Sequence, residues 1–211
     1  MNNTSRLAAI LFSVILLVIS LFTPWIAHKA AGLNLTGIEF GDWLKYAPTH
    51  PVGQSPLLRS LFLAPSLLAS LTLALTPQPV AKTSPRKWIW TILALLVGLI
   101  LLPSYQDLVE RNWTTIVIRL GGFLVSAVLA MLVPLRIKIG SKVSAVLRIT
   151  ASTACLTAVT IVFQRSEPFV EMLYASQIDP GFGFHSARLG SLILLLLAIV
   201  GLINNRKDDV K

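Results

Sequence analysis

Charge is what this chain has least of. Only 13% of its 211 residues are Asp, Glu, Lys or Arg, and nine are acidic. Soluble domains carry about a quarter charged residues, so a water-solvated fold is excluded and the chain falls in the membrane class. Cysteine is nearly absent as well. Cys155 stands alone, which excludes an internal disulfide framework and a Cys-based metal cluster. There is no Gly-rich phosphate loop ending in Lys-Ser or Lys-Thr, no His-Glu-x-x-His and no Gly-x-Ser-x-Gly. The motif-bearing nucleotide-binding and hydrolase classes are therefore unsupported. The three His residues, His28, His50 and His185, match no ligand spacing. No catalytic, cofactor or metal residue is assigned.

Apolar runs are what the chain has in abundance: 55% of it is hydrophobic, with a mean hydropathy of +0.75. A spanning helix needs about 20 mostly apolar residues. Six runs qualify as candidates, at about 7–26, 57–76, 88–102, 115–135, 143–163 and 189–203. The third and sixth are short, and must extend into flanking residues or thin the bilayer locally. The first is too long for a signal-peptide core, and Ala27-His28-Lys29-Ala30 is a poor cleavage site. The expected fold is all-α. It is one polytopic membrane domain over residues 1–211, with six transmembrane helices and short amphipathic helices in the outer loops.

The net charge of +9 sorts by side. With both termini and the segments 77–87 and 136–142 on one face, that face holds 11 positive and two negative residues. The other holds seven of each sign. The positive-inside rule makes the basic face cytoplasmic. The expected location is a bacterial cytoplasmic membrane with both termini inside. The bilayer is then the partner of the basic charge, and no basic patch is long enough for nucleic acid. Trp25, Trp88, Trp90 and Trp113 fall at predicted span ends, as in an aromatic belt.

The first outer loop contains the clearest helix start. Thr36 and Glu39 have capping-box spacing, and Leu35 with Phe40 has that of a hydrophobic staple. Pro48 ends the segment. Phe40, Trp43 and Leu44 share one face, with Glu39, Asp42 and Lys45 opposite. So short a helix needs an apolar surface to lie on. It is either a passive interfacial helix or a docking element, with Phe40, Trp43, Leu44, Glu39 and Asp42 as the candidate outer-face interaction residues. Ser104 with Asp107, and Ser166 with Pro168, repeat the helix-start chemistry in later outer loops. Asp179 to His185 reads as a turn-rich loop.

Within the spans, Thr150, Thr153, Thr157 and Thr160 recur on one stripe of the fifth run, continued by Gln164. This is a candidate interhelical seam that would make the fifth span the central packing helix. Gly122, Ser126 and Ala130 give the fourth run a small-residue face and make it the expected neighbour. Pro65 is expected to kink the second. No acid, Lys or His lies deep in a run. Arg119 and Arg148, near their span ends, are expected to snorkel.

These observations describe a non-enzymatic multispanning membrane protein of unassigned activity, a subunit or accessory of a larger membrane complex. Two alternatives stay open. One is a permease-type subunit working with a separate ATPase. The other is a membrane enzyme whose outer-face site would draw on Glu39, Asp42, Asp107, Glu110, Glu171 and His185.

Overall fold

The computed structural model describes residues 3–27, 35–46, 51–76, 86–132, 140–174 and 177–208. His28, His50, Pro48 and much of the basic inner segments fall outside these residues. Of the described residues, 88% are helical. Five segments are long and apolar enough to cross a membrane: Thr4–Phe22, Pro56–Leu75, Trp113–Met131, Lys142–Leu173 and Phe182–Ile203. A sixth apolar helix, Trp88–Leu101, is shorter.

In chain order, α1 (Asn3–Phe22) leads into β1 (Ile26–Ala27) and then α2 (Gly37–Trp43), which is prolonged by a 3-10 turn, Leu44–Tyr46. Next come α3 (Pro51–Gln54), α4 (Pro56–Ser60), a 3-10 turn over Leu61–Leu63, and α5 (Ala64–Leu75). The second predicted span is one continuous helical segment, with a 3-10 turn just ahead of Pro65. Pro65 sits in the first turn of α5, where its missing N–H costs nothing. Then follow α6 (Arg86–Gly98), α7 (Tyr105–Val109), α8 (Trp113–Leu132), α9 (Ser141–Tyr174), β2 (Asp179–Pro180) and α10 (Phe182–Asp208).

Helix α5 is the hub, touching α1, α6, α8, α9 and α10. The Pro56–Leu75 segment is 61% buried inside the protein, against 28–39% for the other four long segments. This corrects the expectation that the fifth span is central. The reason is a ladder of hydroxyls on α5 that lets backbones approach closely. Ser66 donates to the carbonyl of Val97 at 2.7 Å, and Ser70 to that of Ala94 at 2.7 Å. Ser126 of α8 bonds Ser70 from the other side. Thr91 of α6 donates to the carbonyl of Ala130 at 3.3 Å. The small face of α8 thus packs on α5 and α6, not on α9 as expected.

Residue pairing gives the helix directions. Gly183 approaches the Ser20 carbonyl, Gly190 that of Ser13, and Gly201 the Arg6 side chain. So α1 and α10 are antiparallel, with both of their terminal ends at one end of the bundle. The pairs 66–97 and 70–94 make α6 antiparallel to α5 in the same way.

Two boundaries differ from the sequence reading. Helix α9 does not stop near 163 and restart at Ser166; it is continuous over 34 residues, with Pro168 inside it. Ser166 bonds back to the Val162 carbonyl at 2.8 Å rather than capping a new start. Helix α10 begins at Phe182, so most of the expected 179–185 loop is helix or strand. Asp179–Pro180 pairs antiparallel with Ile26–Ala27, and Gly181 donates to the Trp25 carbonyl at 2.8 Å.

Candidate functional site

The end of the bundle opposite the termini carries α2, α3, α7 and the two short strands; we call it the cap end. Helix α2 forms there for the reasons its sequence states. Thr36 accepts from the Glu39 N–H at 3.4 Å, and Glu39 accepts from the Thr36 N–H at 3.2 Å. The apolar face packs on the bundle itself. Phe40 and Leu44 are fully buried. The Phe40 ring stands edge-on to Phe62 at 4.8 Å, and Trp43 rests against Phe169 at 5.9 Å. Gly41 allows this closeness: a Cβ there would stand 2.8 Å from the Arg59 carbonyl.

Trp25 is the centre of the cap rather than a belt residue. It is fully buried, donates through Nε1 to the Ser20 carbonyl at 2.7 Å, and packs on Phe62 at 5.1 Å and Phe184 at 6.2 Å. Trp113 and Trp88 are exposed on the bundle flank, as a belt requires.

The polar part of the cap is an ion-pair network. Arg119 of α8 does not snorkel. Its side chain is 6% exposed, and it binds Asp42 of α2 and, at 3.3 Å, Asp107 of α7. Asp107 is 1% exposed. It also closes the capping box of α7, accepting from the Ser104 N–H at 3.2 Å and hydroxyl at 2.8 Å. Alongside, Lys45 reaches Glu110 at 3.3 Å. One arginine therefore holds two separate cap helices to a long helix. Asp42, on the face of α2 opposite Phe40 and Leu44, is one of its anchors. The Nε atoms of Arg119 and Arg59 are buried and have no hydrogen-bond partner among the described residues.

Of the six outer-face candidates, Asp42 and Asp107 converge on Arg119 with Glu110 alongside on Lys45, each as an ion-pair partner. Glu39 serves the capping box, Asp42 and Asp107 serve Arg119, and Glu110 serves Lys45. Glu171 accepts from the Ile178 N–H at 3.3 Å, and the His185 ring lies against Phe184 at 5.6 Å. Among the described residues no group of three potential metal ligands forms.

The expected seam on α9 is not inside this chain. Thr150, Thr153, Thr157 and Gln164 are exposed, and Thr160 is half-buried with its hydroxyl on the Leu156 carbonyl at 2.8 Å. The face that α9 buries carries Ser144, Arg148, Ser152, Cys155, Val159 and Val162. Arg148 is buried and donates to the Leu75 carbonyl at 3.2 Å and to the Ser144 hydroxyl at 2.8 Å. The Leu75 carbonyl stands at the C-terminus of α5, where a cation is favoured. The sequence carried no signal for either arginine's partners. Comparison with protein-family models, curated proteins and solved structures finds no match to this chain.

Proposed function

We propose that this chain is a non-enzymatic six-span membrane protein that serves as a subunit of a larger membrane complex. The observation that carries the reading is the uncovered polar face of α9. Thr150, Thr153, Thr157 and Gln164 occupy one exposed stripe of an apolar helix. Small and hydroxyl residues on such a helix favour close packing against another helix, with bonds of about 0.6 kcal/mol each on average. Among the described residues no helix covers that face. A spanning helix of another chain is the occupant that suits it.

Six crossings are supported by α6, which runs antiparallel to α5 through Ser66 and Ser70 and shares their length of the bundle. A crossing by α6 is also consistent with both termini lying at one end. The basic charge at that end argues for a cytoplasmic location. Compartment reporters fused to each terminus test this, and opposite locations for the two would refute six spans. The subunit reading is tested with a photo-crosslinking residue at Thr153 or Thr157, and at Leu192 of α10 as a lipid-facing control. Protein adducts from the α9 positions alone are expected. Lipid adducts alone from all three positions would overturn the reading.

A further inference from the structure

Helix α7 turns one side to the bundle and leaves the other bare. Asp107 is buried on Arg119. Tyr105, Leu108 and Val109 share the opposite face and are 83%, 54% and 60% exposed. We propose that this face lies in lipid, at the boundary between headgroups and acyl chains of the leaflet at the cap end. That contact rests on the membrane placement proposed above. It makes α7 an interfacial helix tied to the bundle by an ion pair.

Three observations favour lipid. The first is depth. Helix α8 has 20 residues, about 30 Å at 1.5 Å per residue, which matches the hydrocarbon core. The apolar helix before α7 stops level with the interior of α8. Its Leu101 side chain stands 3.8 Å from a Cβ built on Gly122, which is about 13 Å along the axis from Trp113. Arg119, which holds Asp107, lies about 9 Å along it. Its side chain leans toward the start of its own helix, so α7 is seated beside the first two turns of α8. Interfacial helices bury their apolar face about 5–10 Å into the boundary, a depth that agrees with this seat.

The second is company. Trp113 and Val117, on the first turns of α8, are exposed as well, so the bare residues of α7 stand level with bare residues of a spanning helix. Tyr and Trp are enriched at that level of a membrane. The charged Glu110 lies off the bare face and is held by Lys45 at 3.3 Å.

The third is backbone closure. Lipid offers no water to free N–H and C=O groups, and α7 closes both of its ends itself. Ser104 and Asp107 form a full capping box at the start. At the other end Arg111 takes a left-handed φ of 52°. The Asn112 N–H then turns back to the Asp107 carbonyl at 3.0 Å, as in the helix ending usually built on Gly.

The test places nitroxide labels on single-cysteine variants in a Cys155→Ser background, reconstituted in phosphatidylcholine vesicles. Leu108→Cys and Val109→Cys probe the bare face and back each other up should one fold poorly. Glu110→Cys probes the polar flank. Val125→Cys, at an exposed position midway along α8, probes the middle of the bilayer. Collision with oxygen reports lipid, and collision with a water-soluble nickel chelate reports water. The oxygen-to-nickel ratio at Leu108 and Val109 is expected to exceed that at Glu110 several-fold and to fall short of that at Val125, at a depth of about 5–10 Å. Nickel-accessible labels at both Leu108 and Val109 beside an oxygen-favoured Val125 would overturn the interfacial helix alone. Labels there shielded from both reagents would overturn it in favour of a protein neighbour. If the Val125 label is itself nickel-accessible, the membrane placement fails and the lipid contact of α7 with it.

Discussion

Arg119 and Arg148 are both buried in apolar helices, yet their surroundings differ. At the cap end, Arg119 meets two carboxylates from separate segments, Asp42 and Asp107. Near the termini, Arg148 meets a backbone carbonyl and a hydroxyl, those of Leu75 and Ser144. The first arrangement fastens pieces of chain that would otherwise be loose. Helices as short as α2 and α7 are unstable alone, and a charge anchored in α8 gives them a fixed seat. The second finishes the C-terminus of α5 and ties it to α9, two helices already packed along their lengths. One end of the molecule is cross-braced; the other is a plain helix bundle.

The strongest way to break that contrast is Arg119→Gln. It leaves Asp107 buried without its cation, and removing one partner of a buried pair costs about 3–5 kcal/mol. Unfolding in a denaturing detergent titration should show a loss of that order. Asp42→Asn should cost less, because Asp42 is 28% exposed and Arg119 keeps Asp107. A double-mutant cycle between the two positions should be clearly non-additive. If Asp42→Asn and Arg119→Gln are additive within experimental error, the brace is not there.

Phe40→Ala tests the apolar side of the same brace. Phe40 is fully buried between Phe62 and Trp43, and Phe→Ala in a core costs about 3–5 kcal/mol. Part of that is expected to appear as detachment of α2, so protease cleavage near the cap should rise before the bundle unfolds. A variant that loses global stability with no increase in cap cleavage would mean the cap and bundle melt as one unit.

Arg148→Gln sharpens the other side. Hydrogen bonds to charged groups are worth about 1.5–3 kcal/mol, and no carboxylate is stranded when the cation goes. Thermal unfolding should show a smaller loss than for Arg119→Gln, and the cap should stay protease-resistant. A loss equal to that of Arg119→Gln would mean the carboxylates are not what distinguishes the two ends.

How legible this was depended on sequence distance. The caps Thr36–Glu39 and Ser104–Asp107 were readable because both partners lie three residues apart. The helix start at Pro65 was partly readable because a missing N–H is a property of one residue; it takes the form of a 3-10 turn over Leu61–Leu63 ahead of α5. The Arg119 network was not: Asp42 lies 77 residues away, and only the packed bundle brings them together. The inward faces of the helices were also hidden. In a chain read as spanning a membrane, lipid and protein interior are both apolar, so periodicity does not separate them. Trp25 was misplaced for that reason, and so was the Thr stripe of α9. The extent of α9 was missed because Ser and Pro at a helix start look the same in sequence as Ser and Pro within a continuing helix.

The smallest effect is expected from that stripe. Thr153→Leu and Thr157→Leu alter two exposed positions that brace neither end of the bundle. Substitutions away from packed features usually stay within about 0.5 kcal/mol. The unfolding midpoint of the isolated chain should therefore barely move. The same pair removes two hydroxyls and adds bulk to the only part of the bundle we assign to another chain. Close approach there should suffer, so the mass of the complex extracted in mild detergent should fall while the stability of the single chain does not. Thr153→Ser with Thr157→Ser keeps the hydroxyls and the small volume, and should restore the larger mass. If Leu destabilises the isolated chain as much as Arg148→Gln does, the stripe belongs to the bundle's own packing, and the uncovered face of α9 is not a contact with a neighbour.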